Sequence, residues 1–289
     1  MKVLVTGANG QLGRELVASK IVSWDIIALS HSELDIADEI AVENAIKSHH
    51  PDILINAAGY TNVDQAESEP EIAFRHNASG PANLAKAIKA YGGYMVHVST
   101  DYVFDGSSSG AYGPDSSVNP LSVYGLTKLE GERAVRLHLP ERSLVIRTSW
   151  VYSVHGRNFV KTMLEFMQQR EEIRVVTDQI GSPTWARTLV GTIWSLLQQS
   201  GLHGVYHWTD SGVASWYDFA LAIAEEGRTA GLLKKIPEIF PIPTSDYPTP
   251  ARRPANSILD KTATWAVLGI PGNHWRQCLR SMLQELVQQ

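Results

Sequence analysis

At 289 residues, 44% hydrophobic and 19% charged, the chain has apolar material for one sizeable core, or a core with a satellite domain, which argues against a disordered or fibrous protein. Its 25 basic and 30 acidic residues leave a net charge of −5 with no long block of one sign, so nothing recruits a nucleic-acid backbone or an anionic membrane. A small molecule is the expected partner. Cys278, the single cysteine, excludes an intrachain disulfide and a cysteine-based zinc site and suits a reducing compartment. The opening MKVLVTGANG reaches glycine and polar residues too soon for a signal peptide or membrane span, and a cytoplasmic location is expected.

In chain order, KVLVTG (2–7) reads as a first buried strand and QLGRELVAS as a helix, after which WDIIALS, PDILINAAG, GGYMVHVST and RSLVIRTSW repeat the short-strand pattern. Between them, DIADEIAVENAIKSHH carries a capping carboxylate at Asp35 or Asp38, and SGPANLAKAIKAYGG has Pro81 near its start and a glycine pair at its end, so both read as helices. This alternation predicts an α/β protein with a doubly wound parallel sheet. After Trp150 the rhythm loosens: helices are expected around 158–169 and 185–199, strands at IRVVT and GVYHWTD, and a helix at SWYDFALAIAEEG. The proline-rich stretch from Phe240 to Pro254 reads as an ordered loop or lid.

Gly7, Gly10 and Gly13 stand three apart at the first strand-to-helix turn, where a tight turn, close approach to a pyrophosphate and helix–strand packing all favour glycine. The helix N-terminus then offers N–H groups to phosphates, so a dinucleotide is expected, although a glycine triplet can also be an ordinary tight turn. The second strand runs into Ser30, His31 and Ser32, where a carboxylate would take the ribose hydroxyls of NAD. That leans modestly towards NADPH over NADH. It is balanced by the nearness of Glu33 and Asp35 and by the lack of a local arginine; His31 can equally be a solvated loop histidine.

Tyr124 and Lys128 lie four apart on one predicted helix face, so the ammonium can stabilise a phenolate and make the tyrosine an acid–base group. Alone, such a pair is more often a surface contact. A glycine loop, a hydroxyl at a strand end and this pair, in that order, make a much rarer set.

With GANGQLG, INAAGYTNVDQAESEP, VSTDYVFDG, NPLSVYGLTKLEGE, IRTSWVYSVHGRNFVKTML, DQIGSPTWARTLV and ARRPANSILD, the chain resembles the extended short-chain dehydrogenase/reductase superfamily, and within it the dTDP-4-dehydrorhamnose reductases, over nearly its whole length. The resemblance implies a Rossmann-type domain, 1–149 plus about 178–200, and a smaller, mostly C-terminal α/β substrate-binding domain, about 150–177 plus 201–289. It implies NAD(P)H-dependent reduction of a 4-keto sugar nucleotide for polysaccharide biosynthesis, in a monomer or homodimer. Thr100 would hydrogen-bond the substrate carbonyl that Tyr124 protonates. Sugar-nucleotide dehydratases of the superfamily follow this threonine with Asp-Glu, whereas Asp101 is followed here by Tyr102, so dehydration lacks an acid–base group.

By the same resemblance Gly10, Gln11 and Leu12 form the pyrophosphate turn, Asp35 and Ile36 meet the adenine, and Ala58, Gly59 and Tyr60 lie along the cofactor. Asp101 and Trp150 touch the sugar, and Asn158 and Arg253 serve its diphosphate. Some members carry Mg2+ at a dimer contact built from glutamates; Glu15 is present, but Arg187 replaces a carboxylate, which argues against that metal. Two other readings stay open. One is an epimerase or reductase of another 4-keto-6-deoxy sugar nucleotide. The other is a non-catalytic NADP-binding subunit like that which regulates methionine adenosyltransferase.

Overall fold

The computed structural model describes residues 1–19 and 21–289. Its main sheet has six parallel strands: β1 (Lys2–Thr6), β2 (Asp25–Leu29), β3 (Ile53–Asn56), β4 (Tyr94–Thr100), β5 (Ser143–Thr148) and β10 (Gly204–His207). All residues of β3 and β5 are buried, as expected of a parallel sheet covered on both faces. Neighbouring residues of one strand serve opposite cores. Val3 and Val5 pack with Leu16, Leu189 and Ile193, which come from α1 (Gln11–Ala18) and α8 (Ala186–Leu197). Leu4 faces Ile46, Leu84 and Val135, from α2 (Glu39–His49), α5 (Gly80–Ala90) and α6 (Val123–His138).

The order β2-β1-β3-β4-β5-β10 sends the chain from β1 to one side and then back to the other. The ends of β1 and β3 therefore flank a topological switch point, the position at which open α/β sheets bind ligands. A second core forms above the carboxyl ends of the strands. There α7 (Phe159–Gln169), α9 (Trp216–Thr229) and α11 (Trp275–Val287) enclose Phe219, Met163 and Leu279 beside the parallel pair β7 (Glu172–Val176) and β12 (Glu238–Ile242). Two small ladders complete this layer: β6 (Val151–Tyr152) with β9 (Thr184–Trp185), and β8 (Ile180–Gly181) with β11 (Ala214–Ser215).

The chain divides less simply than 178–200 against 201–289. Strand β10 completes the main sheet beside β5, and Trp265 and Leu268 of α10 (Thr262–Leu268) pack on the main core, because the edge of β5 needs a partner and a cover. Residues 180–185 instead pair within the second layer. Phe240–Ile242, expected in a loop, end β12; Pro241 is tolerated because this strand pairs with β7 alone and so has a free edge. No helix among the described residues is long and apolar enough to cross a membrane.

Candidate active site

The switch-point crevice opens into a cavity of about 820 Å³ whose lining runs from Gly7 and Gly10 through Ala58 and Thr100 to Trp216. Its floor is shaped by backbone that leaves no room for side chains. Gly7 has φ +71°, and a Cβ there would lie 2.7 Å from the Ala58 nitrogen; one on Gly13 would come within 2.3 Å of the Gly7 carbonyl oxygen. Gly10 caps α1 without a side-chain hydrogen bond, so the helix directs free N–H groups and its positive end into the crevice. These features fit a dinucleotide pyrophosphate. Gln11, Leu12, Ile36, Ala58, Gly59 and Tyr60 line the cavity, whereas Gly13 and Asp35 are not among its lining residues.

Two local devices bring the reactive groups together. Ser122 caps α6 by accepting from the Gly125 nitrogen at 3.2 Å. Glycine at 125 and 131 lets the helix press against neighbouring backbone, since Cβ atoms there would meet the Tyr102 and Asn77 carbonyl oxygens at 2.2 and 2.1 Å. Tyr124 and Lys128 thereby face the end of β4. Thr100, the last residue of that strand, donates its hydroxyl to Asp101 Oδ1 at 3.0 Å and lines the cavity together with Tyr124.

Burial pushes the Tyr124 phenol up to about 12, the Thr100 hydroxyl opposing and Asp101 adding to the shift. Burial pulls Lys128 down to about 8, with Glu132 opposing. Burial thus keeps the phenol neutral where the spacing predicts easing towards a phenolate, and the Lys128 ammonium donates one of its hydrogens to the Val98 carbonyl at 2.6 Å. Glu132 does more than favour a helix. It accepts from Arg147 at 2.9 and 2.7 Å and from the Ser99 hydroxyl at 2.5 Å, tying α6 to β4 and β5 beneath the site.

The far wall comes from the second layer. Trp150, in left-handed backbone at φ +49°, stacks on Trp216 with ring centroids 3.6 Å apart and planes within 7°. Gly181 permits this, since a Cβ there would touch the indole at 2.7 Å. Asp101 is almost fully buried and lines the cavity; burial pushes its carboxyl up to about 6, the Ser257 and Thr100 hydroxyls opposing. Its Oδ2 is buried and has no hydrogen-bond partner among the described residues. Asn158 caps α7 and donates to Gln11 Oε1 at 2.9 Å, joining the two sides of the cavity. Arg253 is engaged elsewhere: it donates to Asp64 at 3.0 and 2.8 Å and does not line the cavity, so its fork is not free for phosphate.

Sequence reasoning missed three residues of this wall and floor. Trp216 is a large aromatic at the first turn of a serine-capped helix, and Arg157 follows a glycine just before a helix cap; both line the cavity, and Arg157 pairs with no acceptor among the described residues. Asn77 braces the floor, accepting from the Tyr60 nitrogen at 2.8 Å and donating to the Tyr60 carbonyl at 3.0 Å. It sits in a π-helical turn, Arg75–Ser79, that no residue pattern announced.

A family model described as RmlD substrate binding domain matches residues 1–288. The chain belongs to the RmlD family. An RmlD relative from Aggregatibacter actinomycetemcomitans, named dTDP-4-dehydrorhamnose reductase, is 42% identical over 97% of this chain and 98% of its own. A crystal structure of such a reductase from Clostridium acetobutylicum superposes with a TM-score of 0.93 at 37% identity, covering all of both chains. One from Bacillus anthracis, solved in complex with NADP, gives 0.92 at 36% identity over 98% of this chain and 99% of its own. A UDP-glucose 4-epimerase from Thermus thermophilus, 19% identical over 99% of each chain with a TM-score of 0.85, shares the fold.

The glutamate-bound Mg2+ of some RmlD-like proteins does not fit these residues. Glu15, fully buried, accepts from the Ser153 hydroxyl at 2.8 Å and from Arg187 at 3.2 Å, and Arg187 reaches on to Glu285 at 2.6 Å. The guanidinium already supplies the cation between the two carboxylates.

Proposed function

We propose that the protein is an NADPH-dependent reductase that converts the C4 keto group of dTDP-4-dehydro-L-rhamnose into the alcohol of dTDP-L-rhamnose, in nucleotide-sugar biosynthesis. The observation that carries this reading is the convergence of Thr100, a neutral, half-buried Tyr124 and Lys128 on one cavity entered from a glycine loop. When bound, the nicotinamide supplies the hydride. Thr100 orients and polarises the C4 oxygen, and Tyr124 gives that oxygen its proton. Lys128 offsets the negative charge left on Tyr124. Trp150 and Trp216 cover the sugar, Asp101 accepts from one of its hydroxyls, and Arg157 meets a phosphate at the rim.

Tyr102 stands where a dehydratase would need its second acid, and its ring lies edge-on to Tyr124 at 5.5 Å. This supports reduction over elimination. NADPH is favoured over NADH because the nearby carboxylates are committed: Glu33 folds back onto the Ser30 nitrogen and hydroxyl at 2.8 and 2.6 Å, and Asp35 accepts from the Ala37 nitrogen at 2.9 Å. The NADP complex of the Bacillus anthracis relative points the same way.

The test is to mix the protein with dTDP-4-dehydro-L-rhamnose and either reduced cofactor and follow the loss of absorbance. Substrate-dependent oxidation of NADPH, faster than that of NADH, is expected. Binding of NADPH without oxidation would favour the non-catalytic subunit reading.

A further inference from the structure

His31, Asp35 and His76 meet at the end of the cavity beyond β2, and one ligand atom from each falls within 4.8 Å of the others. His31 and His76 line the cavity, and their rings pack edge-on at 5.7 Å. His76 Nε2 stands 3.4 Å from Asp35 Oδ1. Two ligand atoms on a tetrahedral zinc ion, with bonds of about 2.0–2.1 Å, are separated by roughly that distance.

The histidine is also oriented as a ligand. Its Nδ1 lies 2.9 Å from the Ile72 carbonyl, which can only accept a hydrogen bond, so Nδ1 carries the hydrogen and Nε2 is left open towards Asp35. This ring is carried on the π-helical turn Arg75–Ser79, whose wider winding sets its direction. His31 is exposed and can swing the remaining distance.

We propose that His31, Asp35 and His76 form a site for a divalent transition ion of the zinc class, with the fourth position left to water, and that the ion and the dinucleotide compete for this end of the cavity. Two imidazoles and one carboxylate suit such an ion far better than Mg2+ or Ca2+, which take oxygen ligands. The competition rests on the cofactor reading proposed above; the metal site does not. Bound zinc would block the adenosine end of the crevice without touching Tyr124, Lys128 or Thr100.

The full chain, stripped with EDTA and dialysed, is titrated with Zn2+ by calorimetry, and NADPH binding is followed by its fluorescence with and without the ion. The expected result is one equivalent of zinc, with affinity weakened at least tenfold in both His31→Ala and His76→Gln. Zinc at ten times its dissociation constant raises the apparent NADPH dissociation constant about tenfold in the parent. Melting in EDTA verifies that both variants fold, and the exposed position of His31 makes its variant a safeguard should His76→Gln fail. Zinc binding unchanged in the His31 variant, or NADPH affinity indifferent to saturating zinc, would overturn the proposal. Absence of NADPH binding even without zinc would instead overturn the cofactor reading and the competition with it, while the zinc titration alone would decide the metal site.

Discussion

The two ends of the cavity are built by different means. The cofactor end is made of backbone at the tips of parallel strands, where Gly7 and Gly13 have no space for a Cβ and the mouth of α1 carries free N–H groups. The sugar end is made of side chains that come together from separate segments, with Trp150 held in left-handed backbone so that it can stack on Trp216. A backbone-built end fits the invariant part of a dinucleotide and constrains little else. A side-chain-built end can be changed one residue at a time, so the choice of sugar belongs there. The proposed catalytic row, Thr100, Tyr124 and Lys128, lies between the two and should depend on neither for its chemistry.

Substitutions can break this division if it is wrong. The largest effect is expected from Tyr124→Phe, which should lower kcat by about 10²–10⁴-fold with NADPH affinity changed less than about twofold, as read by steady-state kinetics and cofactor fluorescence. A comparable fall in cofactor affinity would merge the row with the cofactor end. Next comes Arg187→Ala, behind the cofactor end: it leaves the fully buried Glu15 without its cation and should destabilise the fold by about 2–4 kcal/mol in urea unfolding. In the parent, by contrast, added Mg2+ should leave both melting temperature and turnover unchanged.

Lys128→Met should stabilise the protein by on the order of 1–2 kcal/mol at pH 7 while abolishing most activity. Burial lowers the folded pKa to about 8, so the penalty for the charged lysine is fully felt below pH 8. It fades as pH rises towards the unfolded value near 10.5, and melting measured at pH 7 and pH 10 should show the gain shrinking. The smallest effect concerns the sugar end: Trp216→Ala should raise the KM for the sugar nucleotide about tenfold, in line with loss of one stacked aromatic, and leave NADPH binding alone.

The same division explains what could be read in advance. The glycine loop, the Ser122 cap and the Tyr124–Lys128 spacing are local devices, encoded within a few residues of where they act. The sugar end depends on contacts between residues far apart in the chain, so Trp216 and Arg157 gave no signal, and the pairing that occupies Arg253 could not be foreseen because Asp64 belongs to another element. The buried ion pair of Glu132 is hidden in the same way, since its partner Arg147 lies on the next strand. The partition of the C-terminal half was misjudged because β10 is short and half-buried, and its place is set by the open edge of β5.

The central claim, reduction at C4 within this cavity, is tested most directly by carrying out the reaction with NADPH deuterated on its nicotinamide and examining the sugar by NMR. The account predicts one deuterium at C4 of dTDP-L-rhamnose for each NADPH consumed when the transferable position is labelled. Unreacted keto sugar with intact NADPH, or a product carrying the 6-deoxytalose configuration at C4, would contradict it.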